Sequence, residues 1–269
     1  MNVKVRGISY YLHMHQEYAD LPNLVLLHGF MGSGYVFDHL IDDLKTFCNP
    51  ITIDLLGHGR SEGAELHYQF STKEQIAGLA HLLKYVSDDP LFLHGYSMGG
   101  RLALQYALMY STRLNGLILE STTFGIEHEQ ERAARQSLDA ERADRILGNY
   151  SSFLQEWASM PLFKGSGPNN VVEMIQLNQN PQWMANSLLG FGTGTMPCVK
   201  NQLHTISAPT LLLAGEHDIK FRNINSAMAK QIHDCTLHVI PNSGHRVHID
   251  NPTKFVHSIQ TFIESNYTL

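Results

Sequence analysis

The segment Gly95-Tyr96-Ser97-Met98-Gly99 sets a serine between glycines, after the apolar run Leu91-Phe92-Leu93 and at the start of the helical pattern Met98–Met109. A serine on a tight strand-to-helix turn projects into a cleft, and small neighbours let the backbone pass close by. The helix N-terminus beneath it favours developing negative charge. An ordinary Ser-Gly turn is the bland alternative, and the strand–turn–helix context favours the chemical one. Such a serine needs a base, and the base needs an acid to fix its tautomer, in the chain order Ser, acid, His. Thr210–Ala214 reads as a strand followed by Gly215-Glu216-His217-Asp218, and Asn242-Ser243-Gly244-His245 follows the last strand signal. Asp218 is preferred to Glu216 because it lies further into its loop, and Gly244 is expected to free the backbone that aims His245. Ser97 is thus the expected nucleophile or base, His245 the proton carrier and Asp218 the orienting acid. Glu120, at another strand end, is the fallback acid. An oxyanion needs two converging backbone N–H groups. Those of Met98 and of Phe30, in the loop His28-Gly29-Phe30-Met31-Gly32-Ser33-Gly34, are expected to supply them. That loop lacks a P-loop ending and dinucleotide spacing, so no cofactor is expected.

These residues require a scaffold of strands whose ends converge. Candidate strands are Val3–Tyr11, Leu24–His28, Pro50–Asp54, Leu91–Gly95, Leu114–Glu120, Thr210–Gly215 and Thr236–Ile240. Helical patterns fall at Ser71–Tyr85, Met98–Met109, Asn223–His233 and Pro252–Glu264, the alternation of a mostly parallel α/β sheet. Ser71 and Glu74 have the spacing of a capping box. The alternation breaks between about Phe124 and Asn201, where Glu127–Leu147, Ser151–Ser159, Asn170–Gln179 and Pro181–Leu189 read as helices with no strand between them. The expected organisation is therefore a core of residues 1–123 and 202–269, with a helical cap of residues 124–201 over the carboxyl edge of the sheet.

Composition narrows the function classes. A chain of 269 residues with 43% apolar content supports one large domain, and its net charge of −6 argues against nucleic acid as a partner. Three scattered cysteines, Cys48, Cys198 and Cys235, form no CxxC and fit a reducing cytoplasm. No signal peptide is apparent, and no apolar run approaches the ~20 residues of a membrane helix. The 16 histidines scatter, and His245 with His248 have no third ligand nearby, so no metal is expected. A monomer or weak oligomer is the expected state.

His28-Gly29, Asp54-Leu55-Leu56-Gly57-His58-Gly59-Arg60-Ser61, the serine turn and the two later loops fall in the order of the α/β-hydrolase superfamily, which the chain resembles over its whole length. That resemblance implies an α/β-hydrolase fold with an eight-stranded sheet and a helical cap, but not a reaction. More specific are Gly99-Gly100-Arg101, Glu131-Arg132-Ala133-Ala134-Arg135, the segment Trp157–Phe163 and Gly192-Thr193-Gly194-Thr195-Met196-Pro197. With these the chain resembles the 2-succinyl-6-hydroxy-2,4-cyclohexadiene-1-carboxylate synthases of menaquinone biosynthesis. The resemblance implies a lyase that removes pyruvate from a small anionic substrate, a 5-enolpyruvyl-cyclohexene carboxylate, with the serine relay abstracting a ring proton. It also implies that Arg101 and Arg135 bind substrate carboxylates while Tyr96 and Trp157 shape the pocket. Periodicity alone would put Arg135 on a solvated face, paired with Glu131 at i,i+4. Gln176 stands where the family pattern carries a further cap arginine, which implies either compensation by Lys220 or Arg222 or a lower affinity for the substrate. The competing readings are a carboxylesterase working through an acyl-serine and a ligand-sensing module that signals through its lid.

Overall fold

The computed structural model describes residues 1–163 and 169–267, so short parts of the expected cap and core ranges (164–168 and 268–269) lie outside the described residues. The chain begins with β1 (Asn2–Val5) and β2 (Ile8–Met14), where a single strand Val3–Tyr11 was expected. Arg6 and Gly7 both have positive φ, 52° and 89°, and form the two-residue turn that folds the run into an antiparallel hairpin. Then come β3 (Asn23–Leu27), α1 (Ile41–Leu44), β4 (Asn49–Ile53), α2 (Thr72–Val86), β5 (Leu91–Tyr96), α3 (Met98–Tyr110) and β6 (Leu114–Glu120). Among the described residues four helices follow with no strand between them: α4 (Glu129–Gly148), α5 (Tyr150–Ala158), α6 (Asn170–Leu177) and α7 (Pro181–Phe191). The sheet resumes with β7 (Thr210–Gly215), α8 (Ile219–Ala229) and β8 (Cys235–Ile240), and the chain closes with α9 (Val247–Asp250) and α10 (Pro252–Asn266).

The eight strands form one mixed sheet in the order β1-β2-β4-β3-β5-β6-β7-β8, in which β2 pairs antiparallel with both β1 and β4 and the remaining pairings are parallel. Leu24 to Leu27 of β3 are fully buried, as expected of a strand covered by helices on both faces. Two apolar clusters flank the sheet, one holding Leu79, Leu102 and Leu203, the other Phe37, Phe92 and Phe255. A third cluster packs Ala143, Ile146, Phe153, Trp157, Met184 and Leu188 of the inserted helices against Met31 of the loop after β3. Three of these helices start at an asparagine whose side chain accepts from the amide three residues on: Asn149 from Ser152, Asn169 from Val172 and Asn180 from Trp183. The Ser71–Glu74 capping box does not form. Glu74 pairs instead with Arg6 of the hairpin at 3.0 Å, and the Ser71 side chain makes no cap bond.

Because β3, β5, β6, β7 and β8 run parallel, the residues at or just past their ends share one edge of the sheet. Phe30, Ser97, Glu120, Asp218 and His245 all lie there, and the inserted helices leave and re-enter the core between β6 and β7. No helix among the described residues is long and apolar enough to cross a membrane.

Candidate active site

Ser97 has φ 51° and ψ −102°, a backbone conformation that side-chain-bearing residues rarely adopt. The surrounding structure over-determines it. Its N–H donates to Glu120 O at 2.8 Å, and its carbonyl accepts from Arg101 N–H at 3.0 Å and from the Thr122 hydroxyl at 2.8 Å. The flanking glycine is sterically required, since a Cβ on Gly99 would lie 2.6 Å from the carbonyl oxygens of Leu27 and His28. The turn therefore lifts the Ser97 side chain clear of the backbone while α3 begins at the next residue.

His245 completes a relay from three separate loops. Its Nε2 lies 3.1 Å from Ser97 Oγ, and its Nδ1–H donates to Asp218 Oδ2 at 2.6 Å. Asp218 has a second task as the N-cap of α8, where its Oδ1 accepts from Phe221 N–H at 3.4 Å. One carboxylate thus fixes both the imidazole tautomer and the entry of the helix that carries it. The expected role of Gly244 does not hold. The left-handed residue in this loop is Asn242, at φ 54°, and Gly244 instead anchors the loop through its N–H to Asp250 Oδ2 at 2.8 Å.

Glu120, the fallback acid, faces away from the relay. It is fully buried and accepts from His248 N–H (3.1 Å), His248 Nδ1 (2.8 Å) and His94 Nε2 (3.2 Å). Burial alone would raise its pKa, but these two histidines hold it down at about 2. His248, isolated in the sequence, is therefore tied to Glu120 beneath the His245 loop. Among the described residues no three His, Cys, Asp or Glu side chains are placed to share a metal ion.

The amides of Phe30 and Met98 border the same cavity as Ser97, and neither donates to an acceptor among the described residues. His28 holds the Phe30 loop in place, with Nδ1–H on Gly29 O at 2.7 Å and Nε2 accepting from Leu55 N–H at 3.0 Å. Accepting at Nε2 requires a neutral ring, and burial lowers the His28 pKa to about 4.

The cavity is about 550 Å³ and is bordered by Tyr96, Arg101, Arg135 and Trp157, together with Arg142, Gln176, Lys220 and Arg246. Asp218 is the one carboxylate on its wall among the described residues. Arg101 is buried, and its Nη1 donates to Phe191 O (2.9 Å) and Thr193 Oγ1 (3.1 Å), with no carboxylate partner among the described residues. Burial first, then the charge of Arg135, lowers its pKa to about 9, which still leaves it a cation at neutral pH. Arg135 pairs through Nε with Asp139 at 2.9 Å rather than with Glu131, and Asp139 also meets Arg142 at 3.4 Å. Trp157 meets the Phe30 ring edge-to-face, and its buried indole N–H has no acceptor among the described residues. Of the two expected compensating cations, Lys220 reaches the wall. Arg222 does not, and donates to Glu216 O at 2.9 Å. Sequence reasoning missed Arg142 and Arg246. The spacing 135, 139, 142 puts Arg142 on the face of α4 shared by Arg135, which was a readable signal. Arg246 carried no periodic signal beyond its adjacency to His245.

Comparison with known proteins agrees with this geometry. The family model of the α/β-hydrolase fold matches residues 22–252. A Bacillus subtilis protein, provisionally named a 2-succinyl-6-hydroxy-2,4-cyclohexadiene-1-carboxylate synthase, is 36% identical over 250 residues, 90% of each chain. The Salmonella typhimurium protein of that name is 30% identical over 245 residues, 88% of this chain and 92% of its own. The solved structure of MenH from S. aureus superposes with a TM-score of 0.90 at 32% identity, covering 96% of this chain and 98% of the other. The chain is therefore an enzyme of the α/β-hydrolase fold and belongs to the 2-succinyl-6-hydroxy-2,4-cyclohexadiene-1-carboxylate synthase family.

Proposed function

We propose that the protein is a carbon–oxygen lyase that eliminates pyruvate from a 5-enolpyruvyl-cyclohexene carboxylate. The product is 2-succinyl-6-hydroxy-2,4-cyclohexadiene-1-carboxylate, and the step belongs to menaquinone biosynthesis. Ser97, polarised by His245, takes the ring proton next to the succinyl carbonyl while its own proton passes to His245 Nε2. The Phe30 and Met98 amides stabilise the enolate oxygen that develops there. The electron pair re-forms the carbonyl, moves the ring double bond along to make the 2,4-diene, and breaks the ring C–O bond. Enolpyruvate leaves, takes up a proton and becomes pyruvate. Asp218 stabilises the imidazolium that exists in between. No acyl-enzyme forms, and no cofactor takes part. Residues 124–201 act as the cap that closes the site.

The observation that carries this reading is the charge of the wall. The product keeps two carboxylates and pyruvate takes a third, so the substrate is a trianion. Arg101, Arg135, Arg142 and Lys220 border a cavity whose one carboxylate among the described residues, that of Asp218, is already held by His245. An esterase pocket for neutral esters has no use for that excess. The test is pyruvate release, followed by coupling to lactate dehydrogenase, against turnover of p-nitrophenyl acetate by the same preparation. Release should dominate and should vanish in Ser97→Ala. Faster turnover of the neutral ester would replace this reading with the esterase.

A further inference from the structure

Arg246 directly follows His245 and takes no part in the relay. It is 9% exposed, borders the cavity, and holds its guanidinium carbon 4.2 Å from the centre of the Phe163 ring. Its charge reaches Tyr96, where it opposes the larger upward push of burial on the phenol pKa. None of the ion pairs found among the described residues includes Arg246. Asp250, four residues on, accepts from Gly244 N–H at 2.8 Å. A hydrogen bond to the Tyr96 phenol does not supply a counter-charge, and taking a cation out of water without one is unfavourable. A fold tolerates such a group where a ligand supplies the missing charge. A guanidinium over an aromatic ring also keeps its in-plane N–H groups for a planar acceptor such as a carboxylate.

The other guanidiniums of the cavity set Arg246 apart. Arg135 and Arg142 share Asp139, so that trio carries one net positive charge. Of the four, Arg135 and Arg142 are ion-paired, and Arg101 and Arg246 stand in none of the ion pairs found among the described residues. Arg101 sits beside Phe191 and Thr193 at the end of α7, whereas Arg246 sits beside Phe163 on the loop that carries His245.

We propose that Arg246 binds one carboxylate of the substrate and is a specificity-determining residue of this site. The inference rests on the polyanionic substrate argued above, and the experiment separates the two. 2-Succinylbenzoate (a stable aromatic analogue of the product), its neutral dimethyl ester and pyruvate are titrated by calorimetry into the wild type, Arg246→Met and Arg246→Lys. KM and kcat for pyruvate release are measured alongside. Losing a charge-assisted hydrogen bond should weaken one of the two anions about 10- to 100-fold in Arg246→Met. KM should rise by the same order while kcat changes much less, as for an interaction made equally in the ground and transition states. Diester binding should be unaffected, and Arg246→Lys should recover part of the anion affinity. Arg222→Met removes the same charge away from the cavity and should change none of these values. Arg246→Gln replaces the Met variant if circular dichroism shows that it does not fold.

Unchanged binding of both anions would overturn the assignment, and so would equal weakening of diacid and diester, which marks a packing role. A wild type that binds 2-succinylbenzoate in an Arg246-dependent way yet releases no pyruvate would sink the lyase and leave the anion site standing.

Discussion

Replacing Asp218 by asparagine isolates the orienting role of the acid from its structural one. The Oδ1 bond to Phe221 N–H can persist in the amide, so α8 keeps its cap. The 2.6 Å contact to His245 Nδ1 cannot persist in the same sense, because an amide N–H now faces a ring N–H. The imidazole is driven to the other tautomer, which places a proton on Nε2, 3.1 Å from Ser97 Oγ. That nitrogen can no longer accept the serine proton. A wrong-tautomer histidine costs about 10⁴-fold in kcat in the chymotrypsin-type triad, or about 5.5 kcal/mol of transition-state stabilisation. The same order is expected here for pyruvate release. Thermal stability should change by less than the ~1 kcal/mol typical of a lost cap. Asp218→Ala removes both contacts and should add that cap penalty to a similar loss of kcat. The assay pair is kcat for pyruvate release and Tm on the same samples. If Asp218→Asn retained kcat within tenfold of the wild type, another group would be orienting His245 and the geometric argument would be wrong.

Two further perturbations probe the scaffold around the relay. Gly99→Ala drives a Cβ into the backbone of Leu27 and His28 at 2.6 Å, and neither carbonyl is a flexible group that can yield. It should destabilise the protein by more than ~3 kcal/mol or abolish soluble expression, which chemical denaturation or yield will show. His28 and His58 are buried, with pKa values lowered by burial to about 4 and about 3. The unfolded chain binds more protons at these rings below about pH 6.5, so their contribution to stability falls as pH drops from there toward 4. Each should cost about 2 kcal/mol between pH 7.5 and 5 by linkage. In urea melts at those two pH values, His58→Asn should therefore lose about 2 kcal/mol less than the wild type over that interval. An identical pH response in the two proteins would contradict the buried neutral ring.

Strand ends and loop chemistry were readable because each is local. Leu114–Glu120 and Thr210–Gly215 fall where the apolar runs ended, and Ser97, Asp218 and His245 meet because parallel strands bring their carboxyl ends to one edge. The errors came where a distant partner decides. Glu74 was expected to cap its own helix, but an arginine from the β1–β2 turn lies within reach and takes the carboxylate. Arg135 was expected to pair with Glu131, yet Asp139, at the same i,i+4 distance in the other direction, is buried and shared with Arg142. Helix periodicity gives two equivalent neighbours at ±4, and only packing against the rest of the fold selects one. The placing of Arg101 and Arg135 at the site rested on resemblance, because nothing in the spacing of positions 101 and 135 shows that they border one cavity.

The choice between the two acids near the relay shows what separates a catalytic geometry from a structural one at the same sheet edge. Glu120 ends β6, which borders β5, and Asp218 follows β7, which borders β6, so either carboxylate could in principle reach an imidazole. Glu120 lies at the last position of β6, still inside the sheet, with no exposed surface and both oxygens occupied by His94 and His248. A carboxylate so enclosed must be fully paired to stay ionised, and its partners come from β5 below and from α9 behind the His245 loop. It braces that loop but cannot follow an imidazole that gains and loses a proton. Asp218 lies three residues past the end of β7, at the edge of the cavity, with one oxygen on a helix amide and the other on His245. The extra residues carry it out of the sheet and into line with Ser97. Loop length beyond the strand end, more than the identity of the acid, therefore decides which carboxylate serves the relay.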